Sequence, residues 1–145
     1  MFTRIPAWSA ICCRNSGTSR MTSRTATCAC KQLSVTCSGE PFAVSLCNCR
    51  ECQRRTGSAF GLAAFFPRAA LTIEGSASTY RRAADNGYGV AFHFCGGCGS
   101  TVYWEPQRKP DAIAVAVGCF SDPSFPPPSQ SVFEEHKHAW LSLTF

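Results

Sequence analysis

A chain of 145 residues with 45% hydrophobic content and eleven phenylalanines can bury the core of one domain. Its apolar stretches are broken by Arg, Gly or Pro within a few positions, which excludes a membrane-spanning helix of about 18 or more residues and makes a soluble protein the expectation. The formal charge is +5, but Arg4, Arg14, Arg20 and Arg24 precede the first carboxylate, Glu40, and the remainder is nearly neutral; without a basic stripe, no nucleic-acid partner is expected.

Residues 1–24 are rich in Ser, Thr and Arg, contain the vicinal Cys12 and Cys13, and show neither acid groups nor an apolar period. They are expected to form a disordered or non-native extension. An Arg-rich, acid-free start resembles a transit peptide, but no amphipathic face accompanies it, and a start of translation at Met21 is the preferred reading. The domain is expected over 25–145.

Leu33 to Cys37, Phe42 to Leu46 and Val90 to Phe94 alternate at period two, as half-buried strands do. Ala59 to Phe66, Leu71 to Ile73, Thr101 to Trp104, Ile113 to Val117 and Trp140 to Phe145 read as further short strands. Turn chemistry separates them at Ser38 to Pro41, Gly75, Asp85 to Gly87 and Pro106 to Pro110. One short helix is predicted at about Arg50 to Arg55, stopped by Gly57. Ser124 to Ser129, with three prolines, reads as an extended connector. The fold class is therefore mainly β: short, mostly antiparallel sheets clamped by metal, with little helix.

Seven of the eleven cysteines fall into three clusters: Cys28 and Cys30; Cys47, Cys49 and Cys52; Cys95 and Cys98. An odd total and gaps of one or two residues argue against a disulfide scaffold and for thiolates held by metal in a reducing, cytoplasmic compartment. Side chains at i and i+2 of a strand point the same way, so Cys28 and Cys30 can offer two thiolates from one strand end. The glycines between Cys95 and Cys98 permit the tight turn that brings a second pair together. Four cysteines close a structural site, whereas Cys47, Cys49 and Cys52 leave a coordination position open, as a catalytic zinc requires. Thiolate ligands favour zinc; copper(I) or an iron–sulfur cluster are the alternatives, the latter needing Cys37 or Cys119 as a fourth ligand.

The three clusters, with the flanks Cys52-Gln53-Arg54-Arg55-Thr56-Gly57-Ser58 and Phe92-His93-Phe94-Cys95 through Ser100, resemble the glutathione-dependent formaldehyde-activating enzyme family, which includes relatives of centromere protein V. Weaker echoes run from Val117 to Pro123 and at Trp140. The resemblance implies a β-tent fold with two zinc ions per chain. Cys28, Cys30, Cys95 and Cys98 would hold the structural ion, and Cys47, Cys49 and Cys52 the catalytic one. It also implies a carbon–sulfur lyase that condenses formaldehyde with glutathione. Many relatives place His where this chain has Asn48, which removes an acid–base candidate. A noncatalytic zinc module that binds thiols or a protein partner is the alternative.

Arg54 and Arg55 are candidates to receive the carboxylates of a glutathione-like thiol, against the plainer reading of a solvated basic turn. Ser58 could donate a hydrogen bond to substrate or simply begin the next strand. His93 lies on the face opposite Phe92 and Phe94, as a proton shuttle or, preferably, a structural histidine. His136 and His138 read as a surface segment. Cys37 and Cys119 fit buried apolar positions, and Trp104 and Trp140 are expected to close the sheet.

Overall fold

A computed structural model describes residues 22–83 and 87–145. Residues 1–21 of the expected N-terminal extension, with Cys12 and Cys13, as well as Asp85 and Asn86 of one predicted turn, lie outside the described residues, whereas residues 23 and 24 of that extension belong to a strand. Among the described residues, ten strands form two sheets. The smaller contains β1 (Ser23–Thr27), β2 (Ser34–Ser38) and β5 (Leu71–Glu74), in the order β1-β2-β5 and antiparallel throughout.

The larger contains β3 (Ala43–Cys47), β4 (Gly61–Pro67), β6 (Ser78–Ala83), β7 (Gly89–Phe94), β8 (Thr101–Pro106), β9 (Ala112–Ala116) and β10 (Gln130–Val132). Its order is β10-β3-β4-β9-β8-β7-β6. The pairing of β10 with β3 is parallel, and the others are antiparallel. One helix, α1 (Arg50–Thr56), follows β3 and ends at Gly57. The mainly β expectation and the single short helix thus describe the molecule. No helix among the described residues is long and apolar enough to cross a membrane.

Alternation along the strands divides the large sheet into two faces. One face packs Val44, Ala64, Phe66, Tyr103, Ile113 and Val115 against Ala26, Leu33, Val35 and Cys37 of the small sheet, and these side chains form the main core. Cys37 is fully buried there. The other face carries Phe92, Trp104, Ala63 and Ala114, a second buried cluster on the outside of the sheet. A register shift between His93 and Phe94 inserts an extra residue in β8 and pairs Phe94 with Thr101. Such a bulge re-aims side chains: Val102 and Tyr103 both enter the core, while Thr101 joins Phe94 on the outer face.

Three features differ from the sequence expectation. Trp140 to Phe145 forms no strand: it pairs with neither sheet, and Trp140 is 73% exposed, its ring 5.2 Å from that of His138, instead of closing a sheet. Cys28 and Cys30 do not sit on a strand. They follow β1 in a turn, where Lys31 has φ 63° and its N–H donates to the carbonyl of Cys28 at 3.0 Å. β1, β6 and β10 were not predicted; β1 begins at Ser23, and within it Arg24 pairs with Glu40 at 2.6 Å.

Gly75, just after β5, adopts φ +91°, and a Cβ there would stand 1.9 Å from the backbone oxygen of Gln32 in the turn that carries Cys28 and Cys30. Gly75→Ala is expected to cost at least about 2 kcal/mol in urea denaturation at fixed metal content, combining left-handed strain with a backbone clash. A cost below about 0.5 kcal/mol would show that this turn yields instead.

Candidate metal centres and cavity

The four cysteines of the first cluster come from both sheets. Cys28 and Cys30 leave β1, while Cys95 and Cys98 form the turn between β7 and β8, and the four sulfurs lie within 4.8 Å of one another. Cys28 and Cys95 are buried; Cys30 and Cys98 are exposed. The Sγ atoms of Cys28 and Cys30 are 3.5 Å apart, as are those of Cys30 and Cys95. Metal–sulfur bonds of ~2.3 Å put tetrahedral sulfurs ~3.8 Å apart, so this donor set fits one tetrahedral ion. Outer hydrogen bonds orient the sulfurs: the Leu33 N–H donates to Cys28 Sγ at 3.2 Å. Ser100 Oγ lies 3.3 Å from Cys98 Sγ and accepts the Ala29 N–H at 3.1 Å, linking the two halves.

The second cluster sits where β3 turns into α1. Cys47 is the last residue of β3, Cys49 caps α1 by accepting the Cys52 N–H on its sulfur at 3.3 Å, and Cys52 lies in the first turn. Their three sulfurs also lie within 4.8 Å of one another, and no fourth His, Cys, Asp or Glu among the described residues joins them. Neither Cys37 nor Cys119 completes the set, which removes the basis for a four-cysteine iron–sulfur site here.

Crowded thiols divide their protons unequally. Hydrogen bonding to Cys47, against the opposing effect of burial and with help from Cys49 and the Arg55 guanidinium, brings Cys52 down to about 6. Cys47 is driven up by the same contact with Cys52 and by burial. In the first cluster, hydrogen bonds from Ser100 bring Cys98 down to about 5. There, despite a backbone hydrogen bond from Gln32, the neighbouring sulfurs of Cys95 and Cys28 push Cys30 up to about 12. Sulfurs packed this way cannot all be anionic without a cation among them, and soft thiolates suit zinc.

Adjacent arginines meet different fates. Arg54 points outward and pairs with Glu51, its side chain 70% exposed. Arg55 folds back over the outer face of the sheet, its guanidinium carbon 4.4 Å from the Trp104 ring centroid and 5.4 Å from that of Phe92. Gly61, paired with Cys47, makes this possible: a Cβ there would approach Arg55 Nη2 to 3.1 Å and the Cys52 Cβ to 3.2 Å. Trp104 thus lies beneath Arg55 and is 8% exposed.

Beside Cys52, a cavity of about 480 Å³ opens between α1 and the outer face. Glu51, Cys52, Arg54 and Arg55 form one wall; Tyr80, Arg82, Phe92, Phe94 and Thr101 form the other. A smaller cavity of about 370 Å³ adjoins it through Arg55 and Thr101 and reaches Ser100 and Cys119. Ser58 is exposed and lines neither cavity; its N–H donates to Thr56 Oγ1 at 3.2 Å. Tyr80, Arg82, Phe94 and Thr101 were not singled out from the sequence. The alternation of Tyr80 and Arg82 was the available signal, hidden in a polar edge strand.

His93 stands on the opposite face, stacked on Tyr103 at 4.4 Å, with Nε2 2.7 Å from Glu105 Oε1 and Nδ1 3.1 Å from Thr79 Oγ1. It is a structural histidine. Although burial opposes it, hydrogen bonds from Arg68 and His93 hold Glu105 below the usual carboxylate value. Asn48 is fully buried and donates to Ser131 Oγ and to the Val132 carbonyl, both at 3.0 Å, fastening β10 to the second cluster. Gln53 donates to the carbonyls of Asn48 and His136, and His138 Nε2 lies 3.1 Å from Gln53 Oε1, so the histidine-bearing segment packs on α1.

Fold and site together define a mainly β protein with two cysteine clusters that could bind zinc, one at a sheet junction and one at the edge of a cavity. Residues 23–136 match the family model described as glutathione-dependent formaldehyde-activating enzyme, and the chain belongs to that family. No curated protein matches the chain. Among solved structures, a crystal structure of a Rhodobacter sphaeroides protein, determined as a structural-genomics target, is similar at TM-score 0.57 and 19% identity. The match covers 74% of this chain and 98% of that one, and it establishes the fold alone.

Arg55→Ala is expected to cost about 1–2 kcal/mol of stability by chemical denaturation, through its lost aromatic contacts and packing. Arg54→Ala should change it by less than about 0.5 kcal/mol, since an exposed ion pair contributes little. Equal effects would mean that Arg55 is not built into the outer face.

Proposed function

We propose that the protein is a zinc-dependent carbon–sulfur lyase that forms and breaks the adduct of a small aldehyde, formaldehyde or a close analogue, with glutathione or a similar thiol. The observation that carries this reading is the cluster of three cysteines, not four, beside a cavity large enough for a small-molecule ligand. Membership of a family named for this activity supports it. A zinc ion held by Cys47, Cys49 and Cys52 would supply an open position that lowers the proton affinity of a thiol and polarises an aldehyde oxygen. In the condensation a carbon–sulfur bond forms, the carbonyl π bond opens, and the thiol proton ends on the former carbonyl oxygen.

The chain's own residues prepare that step. The cap from the Cys52 N–H to Cys49 Sγ fixes two sulfurs relative to α1, and Asn48 anchors the strand end that carries Cys47. Arg55, adjacent to Cys52, offsets part of the negative charge of three thiolates. Phe92, Phe94 and Tyr80 line the approach with apolar surface and limit water around the reacting groups. Cys28, Cys30, Cys95 and Cys98 would hold a second, structural zinc. Of the two arginines of α1, Arg55 is the substrate-facing cation; Arg54 stands at the outer rim paired with Glu51, and Ser58 has no place in the cavity wall. A reducing cytoplasm is the compatible setting for the nine free cysteines among the described residues.

Metal analysis of the reduced protein should give two zinc ions per chain. Cys49→Ala should hold one and stay folded, whereas Cys95→Ala should lose the fold, because structural zinc contributes folding energy directly. The decisive assay is the rate of hemithioacetal formation and breakdown with glutathione and formaldehyde. Acceleration by the two-zinc protein and its loss in Cys49→Ala are expected; a fully loaded protein that leaves the uncatalysed rate unchanged would be a binding module instead.

A further inference from the structure

Two guanidinium groups converge on one ring in the larger cavity. Arg55 from α1 and Arg82 from β6 lie with their guanidinium carbons 5.4 Å and 5.7 Å from the Phe92 centroid. Both side chains line the cavity that contains Cys52. Among the described residues, neither forms an ion pair with a carboxylate. Arg55 Nε is buried without a hydrogen-bond acceptor, and the hydrogen bond of Arg82 is a long one, 3.5 Å from Nη1 to the Ala83 carbonyl.

Arg55 lies beside the Cys52 sulfur, but no carboxylate among the described residues pairs with either guanidinium. Glu51 is the one acid in the cavity wall, and it is tied to Arg54. Arg68, across β8, is occupied by Glu105 at 2.6 Å. Two like charges held around one aromatic ring repel each other, and in this partly enclosed site the repulsion is screened less than in water. An anion between them would remove the repulsion and use their free donors. A planar carboxylate matches the guanidinium fork. Phe94 and the half-exposed Tyr80 extend the same wall and offer apolar surface to the carbon stem behind such a group.

We propose that Arg82 and Arg55 form a carboxylate subsite over Phe92, so that the thiol taken by the neighbouring cysteine cluster is an acid and neutral thiols are poor ligands. This rests on the reading of the cavity as a thiol site. Arg82 is the specificity-determining residue, since Arg55 also serves Cys52 and the packing on Trp104. The alternation of β6 places Tyr80 and Arg82 on the cavity side, and the antiparallel register sets Tyr80 opposite Phe92.

The test is calorimetric titration of the zinc-loaded protein with S-methylglutathione, whose capped sulfur isolates the subsite from the metal, and with its diethyl ester, which lacks free carboxylates. The acid should bind more tightly than the ester, and added salt should weaken the acid alone. Arg82→Gln, compared at equal zinc content, should weaken the acid by about 10-fold to 100-fold, the size of a lost charge-assisted hydrogen-bonded contact. Arg82→Lys should recover part of the loss, because it restores charge without the fork. Equal binding of acid and ester, no binding of the acid, or an Arg82→Gln effect within about twofold would overturn the subsite. Adduct formation measured in parallel separates the two ideas. Acceleration without a preference for acids removes the subsite and leaves the lyase reading intact. Acid binding that depends on Arg82, without acceleration, supports the subsite and removes the lyase reading.

Discussion

The four sulfurs of Cys28, Cys30, Cys95 and Cys98 meet where the two sheets come together, and the geometry of the rest of the molecule descends from that convergence. The small sheet has only three strands of four or five residues, too little to be stable alone. Its apolar residues are covered by the large sheet, and Cys28 and Cys95 belong to the same buried cluster as Leu33, Val35 and Phe66. Two of the four cysteines that could ligate a metal are therefore also core residues. Ser100 ties the two turns together from outside, its hydroxyl meeting both the Ala29 amide and the Cys98 sulfur.

Downstream of that junction, the bulge in β8 decides what faces the outer cavity. Without the register shift, Val102 would stand opposite Phe94; with it, Thr101 takes that place and Val102 enters the core. On the other side of the cavity, a helix of seven residues has little intrinsic stability. It persists because Cys49 caps it, Gln53 binds the carbonyls of Asn48 and His136, and Arg55 lies across Trp104. The same contacts bring Cys52, with Glu51, Arg54 and Arg55, to the cavity edge, so what stabilises the helix also builds the candidate site.

The outer face of a sheet is an unusual place to bury Phe92 and Trp104, since the main core is on the other side. Their cover includes cations: Arg55 over both rings and Arg82 over Phe92, with Lys109 over the neighbouring Phe65 at 4.8 Å. Aromatic faces attract such groups and their apolar stems lie flat on carbon. The result is a cavity whose floor is apolar and whose rim is positive, although the sequence after Arg24 is close to electrically neutral.

Local chemistry made much of this legible. The cysteine spacings, the period-two runs at Leu33 to Cys37 and Val90 to Phe94, and the glycine stop after Arg55 act over a few residues, and the structure carries each of them. The division into four and three cysteines followed from ligand count before any contact was known. What no local signal held was partnership. Trp140 to Phe145 has a strand-like alternation but pairs with no strand, while Gln130–Val132, with almost no pattern, becomes a strand because β3 offers it an edge and Asn48 secures it. Arg54 and Arg55 are equivalent as letters; adjacent positions of a helix point in different directions, which sends one to solvent and the other onto Trp104, where the missing side chain of Gly61 leaves it room. Residue type and spacing determined which atoms could bind metal. Only the tertiary structure decided which cations meet beside them, because that depends on contacts between strands and a helix far apart in the chain.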